Sequence, residues 1–542
     1  MDDNRLDVWD YIIVGGGSAG CVLANRLSAD AGTRVLLLDA GRSHHHLASR
    51  VPAGVPVALG RPDMNWQYLA QPDASRNGLV DMWPAGRLLG GGSSINGMMV
   101  VRGHRHDYDG WAAAGNTGWG YDDLLPYFRR SEDHDGGSNE WRGSGGPVAV
   151  SALRNPHPLD DAFIAAMQEL GVPFNADLNG ERAEGVGRVQ VAQRRGERAS
   201  TAAAYIDPVC HRPNLQVRLH CPVTRVLFEG DRAVGVAYRR DGQPATARAV
   251  HGVIVSAGAL ATPGVLMRSG LGPGQRLREL GLEVLRDLPG VGANLQEHAA
   301  VRLGFHSRVP TVNSDMGPLR NLVHLLNYVV TRRGPLAMCI GHAQAFVRSR
   351  GDLPAPNLQI IFSPVAIEFG PKGPRPYPRP AAGCAVGLTG AHGRGQVDLA
   401  SADPDAKPVI RHELLGHPAD LQDLVEGCQI ARRMMGTQAL APYVLDERLP
   451  GAAVQSDDDW RAYIRKAAFL MYHPCGTARM GTDDHAVVDP QLRVRGLRNL
   501  WVADASVIPR IPAGNINATV IAIGEKASDL VRVARVSPRD TA

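Results

Sequence analysis

The 542-residue chain has seven cysteines, at positions 21, 210, 221, 339, 384, 428 and 475, and no two of them form a CxxC pair. Thiols dispersed in this way exclude a disulfide scaffold and are expected to be reduced, as in a cytoplasmic protein. No run of eighteen apolar residues exists, so no membrane-spanning helix is expected. The opening MDDNRLDVWD is acidic and lacks the apolar core of a signal peptide. A charge excess is missing too: the net charge is +4 and the arginines are scattered, which leaves nucleic acid no footprint. What remains, 44% hydrophobic and 21% charged residues, describes a globular chain with a sizeable core. Its length suits roughly two to four ordinary domains, or two large ones sharing an interrupted chain.

DYIIVGGGSAGCVLANRL carries the first positive signal. Tyr11 to Val14 is a short apolar run suited to a buried parallel strand, and it stops in three glycines. From Ser18 onward, Ala19, Val22, Leu23 and Leu27 recur at helical spacing. Strand, tight turn and helix, with Gly15, Gly17 and Gly20, make a dinucleotide fingerprint. The glycines admit a pyrophosphate to the backbone and the helix start holds its charge. The next strand, RVLLLDAG, ends in Asp39, placed to accept hydrogen bonds from ribose hydroxyls. Gly16 to Gly20 also spells the GxSxG elbow of a hydrolase. That elbow needs strands ahead of it, only about ten residues precede this one, and it leaves Asp39 without a purpose.

Three later stretches extend the site. In WPAGRLLGGGSSINGMMVVRG (83–103), the run Gly90 to Ser94 cannot pack side chains, so its use is to lay backbone N–H groups against a ligand. Leu88, Leu89, Ile95, Met98 and Met99 are too apolar for a surface loop. GVIVSAGALATPGVLMRSG repeats the strand-to-small-residue turn, with Val253 to Val255 entering Ala257-Gly258. Near the end, Leu500 to Val502 reads as a strand, followed by Asp504, a Pro/Gly/Asn loop and an apolar helix. One cofactor is thus touched from the beginning, middle and end of the chain. In MYHPCGTARMG, His473 stands before rigid Pro474 and a turn on Gly476. It reads as a metal ligand with Cys475, as a catalytic acid or base, or as a packed histidine at a strand end. The metal reading lacks the three or four ligands such a site needs.

IIVGGGSAGCVLANRLS, GRLLGGGSSINGM, VSAGALATPGVLMRSGLGP, LPGVGANLQEH, YHPCGTARMG and ADASVIPRIPAGNINATVIAIGEKASDL together resemble the glucose–methanol–choline (GMC) family of FAD-dependent oxidoreductases, in the family's order and over nearly the whole chain. The resemblance implies an α/β fold (α+β overall). A Rossmann-like FAD-binding domain would comprise 1–155, 205–300 and 462–542. A second, substrate-binding domain of antiparallel sheet plus helices would comprise 156–204 and 301–461. SPVAIEFGPKGPRPYPRPAAG, rich in Pro and Gly, reads as a loop over the substrate entrance. Pro318 to Val330 reads as a helix whose apolar face, with Leu322, Leu325, Leu326 and Val329, is expected to meet the core or a second subunit rather than a membrane surface.

The resemblance also implies site residues. FAD contacts fall on Gly15, Gly17, Ser18, Ala19, Gly20, Asp39 and Ala40, on Arg87, Gly91, Gly92, Ser93, Asn96, Gly97 and Met98, on Val223 and Ala257, and on Asp504, Ala505, Asn515, Asn517 and Thr519. Asp39 stands where the family usually has Glu. The family's HPxGT histidine, here His473, lies beside flavin N5 and acts as base on the substrate hydroxyl. Removing that proton raises electron density, so hydride leaves as the carbonyl forms, and a base with pKa near working pH suits the step. The partner position is Asn515, which can hydrogen-bond the substrate oxygen without taking its proton, or merely shape the loop after Gly514. Some members hold FAD through a histidine in the glycine-rich loop. Ile95 stands there and no histidine lies in 83–103, so FAD is expected to be non-covalent, and no metal is expected.

The implied reaction oxidises an alcohol to the aldehyde or ketone. A neutral primary aromatic or aliphatic alcohol is expected, with Tyr472, Phe346 and Phe362 as pocket walls. A choline-type substrate would need a carboxylate or aromatic cage, for which SPVAIEFG offers only Glu368. A flavin-containing lyase of the hydroxynitrile-lyase type, a choline-type dehydrogenase and a non-catalytic flavin binder stand as alternatives. Oxygen, a quinone or another carrier is left open as electron acceptor, as are a homodimer and a peripheral position at a membrane. His44, His45 and His46 are expected to do nothing specific in an exposed loop, and His104 and His106 receive no role.

Overall fold

The structure, a computed structural model, describes residues 7–370 and 373–536. Val8–Val14 and Val35–Leu38 form neighbouring parallel strands. Tyr11 to Val14 and all of Val35–Leu38 are buried, as expected of strands covered on both faces. Their sheet runs Leu215–Arg218, Val35–Leu38, Val8–Val14, Gln243–Val255, Arg232–Arg240, Val223–Glu229, with Leu500–Val502 parallel on Gln243–Val255. Arg232–Arg240 pairs antiparallel with both neighbours, so an antiparallel ribbon extends a parallel core.

A second sheet runs Val444–Leu449, Ala299–Ser307, Ala381–Leu388, Leu358–Ser363, Ala343–Val347, Gly185–Arg188, antiparallel throughout, with Phe469–Leu470 added beside Ala299–Ala300. Helices Pro158–Glu169, Pro418–Met435 and Asp457–Ala467 share its hydrophobic core. The fold is mixed α/β, with a largely parallel sheet and a separate antiparallel one. Ala299–Ser307 crosses the boundary expected at residue 300, and Phe469–Leu470 joins the second sheet although it falls within 462–542.

Two expectations change. The Pro/Gly-rich stretch is not irregular throughout: Ile367–Gly370 and Gly373–Pro376 pair as an antiparallel hairpin, because Pro occupies strand positions only in short edge pairings such as this one. The Glu368 side chain lies outside the described residues, as do residues 371 and 372. The helix after Gly317 forms as Pro318–Thr331, but its aliphatic face is turned to solvent within the chain rather than to the core. Among the helix side chains the structure describes, only Tyr328, on the opposite side, is buried.

Candidate active site

His473 is placed by two strand ends that run past each other. Phe469–Leu470 pairs with Ala299–Ala300, Met471 N donates to His298 O (3.0 Å), and Cys475 and Gln296 exchange backbone hydrogen bonds at 3.0 and 3.1 Å. The chain then reverses at Gly476, with φ +91°, where a Cβ would stand 2.6 Å from Asn294 O. Only glycine fits that turn. Tyr472, also at positive φ (67°), points its backbone so that His473 turns inward.

Beneath His473 lies a carboxyl the sequence had not singled out. Both Glu297 oxygens accept from His473 N (2.8 Å each), and Oε1 also accepts from His298 N (2.8 Å). Burial pushes the Glu297 carboxyl up to about 8, against the opposing pull of these N–H donors.

The ring of His473 sits between two partners. Its Nδ1 is 3.0 Å from His298 Nδ1, and its Nε2 is 3.1 Å from Asn515 Nδ2. His298 Nε2 lies 3.2 Å from Thr389 O, a backbone carbonyl that can only accept. That contact sets every proton in the row. His298 must carry its hydrogen on Nε2, so its Nδ1 offers a lone pair. His473 therefore donates from Nδ1 and keeps its own lone pair on Nε2, the acceptor for the Asn515 amide. Burial, then the neighbouring His298, holds the His473 pKa well below 6.5, and burial brings His298 down to about 4. Both imidazoles are neutral at pH 7. A neutral imidazole with a defined lone pair faces the cavity.

That cavity has a volume of about 1080 Å³ and extends from the first glycine turn to His473 and Asn515. At the glycine end, Gly15 has φ +100° and a Cβ there would stand 2.5 Å from Ser256 O. A Cβ on Gly91 would come within 2.9 Å of Gly17 Cα, so the two glycine loops touch backbone to backbone. Beside this contact, a Cβ on Gly92 would meet nothing within 4 Å. The slot they leave is open to a ligand that side chains would fill. Helices Ser18–Leu27 and Asn517–Val536 both begin at the cavity, with Ser18 Oγ 2.7 Å from Asn517 Oδ1. Two positive helix ends aimed at one slot suit a diphosphate. Asp39 lines the cavity while accepting from Gly16 N (2.7 Å) and Gly41 N (2.6 Å), and burial raises its pKa. A carboxylate has further lone pairs, so a ribose can still be bound. These residues fit FAD.

The cavity is also lined by Gly15, Gly17, Ser18, Ala19, Ala40, Arg87, Gly91, Gly92, Asn96, Gly97, Met98, Val223, Ala257, Asp504, Ala505, Asn515, Asn517 and Tyr472. Five expected residues are elsewhere. Gly20 packs helix on strand, since a Cβ would lie 1.9 Å from Gly15 O. Ser93 is buried and braces the loop, Oγ donating to Gly90 O (2.6 Å). Thr519 shares a hydrogen bond with Tyr108 OH (2.7 Å) behind the cavity. Phe362 stacks on Phe163 in the second core (5.0 Å between rings), and Phe346 packs with Val101 and Leu178. Phe362 faces the second core beside its cross-strand partner Ala343, whereas Phe346 lies on the opposite face beside Gln359, and alternation alone does not say which face meets a cavity. The row of histidines after Asp39 is not idle either: His44 is buried with Nε2 3.0 Å from Asp207 Oδ2, and His46 Nδ1 caps the next helix by accepting from Ala48 N (3.1 Å). His298 was missed although it ends LQEH, because nothing local in that stretch announces a partner 175 residues away.

Comparison with known proteins bears on this arrangement. The GMC oxidoreductase family matches residues 9–300 with its N-terminal part and 391–524 with its C-terminal part. The chain is 40% identical to mitochondrial choline dehydrogenase of Mus musculus, over 97% of this chain and 90% of that protein. It is 39% identical to alcohol dehydrogenase [acceptor] of Pseudomonas putida, over 97% and 96%. The crystal structure of pyridoxine 4-oxidase from Mesorbium loti superposes with a TM-score of 0.87 at 32% identity, covering 96% of this chain and 98% of that one. The glycine slot and the buried histidine at its far end thus lie in a chain that belongs to the GMC oxidoreductase family, an FAD-dependent oxidoreductase.

Proposed function

We propose that the enzyme oxidises a neutral primary alcohol, aromatic or medium-chain aliphatic, to its aldehyde. His473 Nε2 takes the hydroxyl proton. The Asn515 amide, directed at that lone pair in the free enzyme, turns to the substrate oxygen and steadies its growing charge. Once protonated, His473 keeps its Nδ1–H on the His298 lone pair, so the new positive charge forms already solvated by a fixed partner. Bound FAD supplies the acceptor for the hydride leaving the alcohol carbon. FAD is held without a covalent link in this reading, because buried Ile95 occupies the loop position that a linking histidine would need. The two separate sheets support a discontinuous FAD-binding domain and a substrate-binding domain divided as expected from the resemblance.

One observation carries the choice of a neutral substrate: among the described residues lining the cavity, the cations Arg87, Arg239, Arg268, Arg302, Arg448 and Lys407 outnumber the carboxylates. Arg302 covers the Phe469 ring at 3.5 Å and Arg87 the Trp66 ring at 4.5 Å, so these aromatic faces already hold cations. Among the described residues the lining carboxylates are Asp39, Asp504 and Asp405. Asp39 and Asp504 tie backbone loops, and Asp405 pairs with Arg239. Ile340, Ile361, Val365 and Ile367 complete an apolar wall. A quaternary ammonium finds repulsion there, and a sugar finds few partners.

Oxidation of choline is the second reading, favoured by the likeness to choline dehydrogenase. Anaerobic mixing with benzyl alcohol, hexanol, choline and glucose decides between them by bleaching of the flavin band. Fast bleaching by benzyl alcohol or hexanol supports the proposal. Bleaching by choline alone moves the assignment to the second reading, and no bleaching by any alcohol revives the lyase.

A further inference from the structure

Helix Pro318–Thr331 carries Leu319, Leu322, Val323, Leu326, Val329 and Val330 on one side, each at least half exposed and Leu319 and Val330 above 80%. At 3.6 residues per turn these side chains fall in an arc of roughly 120°. The other side holds the helix to the protein: Tyr328 OH donates to Gly196 O (3.0 Å), and His324 Nε2 lies 3.0 Å from Asp315 O. So large an aliphatic face on one short helix marks an interaction surface rather than scattered surface residues.

Its charge surroundings say what covers it. The helix contains no Asp or Glu. At its C-terminal end, Arg332, Arg194 and Arg195 line a second cavity of about 630 Å³, and Arg333 follows Arg332 in the chain. Arg154 reaches Arg332 O (2.9 Å), and Arg50 shares Glu197 with Arg332 (2.9 and 3.1 Å). Asp133 pairs with Arg194 and Asp207 with His44, which leaves positive charge in excess at this end. A second copy of the helix brings no carboxylate to meet that charge. An anionic lipid surface does, and it accepts the aliphatic arc as well. The loop following the helix leads directly to Ile340, which is half exposed and lines the mouth of the large cavity together with Val55 and Pro56.

We propose that helix Pro318–Thr331 docks the enzyme in the plane of an anionic bilayer. Its aliphatic arc enters the headgroup–acyl boundary, its arginine-rich end meets the lipid phosphates, and the cavity mouth faces the lipid. No helix among the described residues is long and apolar enough to cross a membrane, so the attachment is peripheral.

Flotation of the FAD-loaded enzyme with vesicles tests this. Vesicles of half phosphatidylglycerol and half phosphatidylcholine should carry the protein upward. Phosphatidylcholine alone, or high salt, should lower the floated fraction by roughly tenfold. The variant carrying Leu322→Asp and Val330→Asp should lose flotation yet retain its flavin spectrum and its turnover with a soluble dye acceptor, which shows the fold intact. Wild-type protein that stays at the bottom with both vesicles overturns the proposal, as does a variant that floats like the wild type. A wild-type dimer that the same substitutions convert to monomer, without flotation, assigns the face to a second copy instead.

Discussion

His298 offers a test of how the proposed base, His473, is prepared. Replacing it by alanine removes the acceptor 3.0 Å from His473 Nδ1 and leaves a buried N–H without a partner. His473 then has no reason to prefer the Nδ1–H tautomer, and the competing form, with hydrogen on Nε2, cannot take the substrate proton. A neutral hydrogen bond contributes about 0.5–1.5 kcal/mol net, which converts to a loss of roughly two- to twelvefold in the fraction of competent enzyme. His298→Ala should therefore lower kcat/KM by that factor and no further, since the base itself remains. His298→Asn places an amide oxygen near the lost ring nitrogen and should restore activity to within about twofold. The assay is kcat/KM toward the alcohol found by flavin bleaching, with the flavin spectrum as a check on folding. Nitrogen-15 shifts of the His473 ring should report a single Nδ1–H tautomer in wild type and Asn variant, and a mixture in the Ala variant. An alanine variant as active as wild type, or an asparagine variant as impaired as alanine, refutes the tautomer argument.

His473→Ala should keep yellow, folded protein while lowering turnover by roughly 10² to 10⁴, the usual share of a general base; loss of FAD with full turnover on reconstitution contradicts the role. Denaturing the enzyme in acid and filtering it should release all yellow colour from the polypeptide, whereas colour retained with the chain means a covalent flavin. Glu297 holds its proton up to about pH 8 in the folded chain, against 4.5 ordinarily, so its contribution to stability is fully present below pH 4.5 and is lost as pH rises toward 8. The cost is on the order of 5 kcal/mol above pH 8, and Glu297→Gln, which keeps an oxygen for His473 N and His298 N, should remove it. Melting temperatures of the two proteins should converge at low pH and diverge in favour of the variant as pH rises; parallel curves refute the shift.

Much of the glycine half of the site was legible because its chemistry is local. Gly15, Gly17 and Ser18 announce themselves within one strand–turn–helix, and the strands Tyr11 to Val14 and Leu500 to Val502 form where aliphatic runs stand between turn residues. The other half depends on what meets across the fold. His298 acquires meaning only when Phe469–Leu470 pairs with Ala299–Ala300. Phe346 and Phe362 illustrate a different limit: a strand buried on both faces shows no alternation, so its inward and cavity-facing residues read alike. In Pro318–Thr331 the periodicity revealed an apolar face but carried no information about what covers it.

The hydrogen bond between Ser18 and Asn517 joins residues 499 apart. At ribosomal rates of about 5–20 residues per second, roughly 25 to 100 seconds separate the synthesis of its two ends. Throughout that interval the first glycine turn exists without the helix that completes its slot. Glu525, which will neutralise Arg26, has yet to be made. The Val8–Val14 strand likewise waits for Gln243–Val255 on its other edge. FAD capture is therefore a late event in the life of the nascent chain.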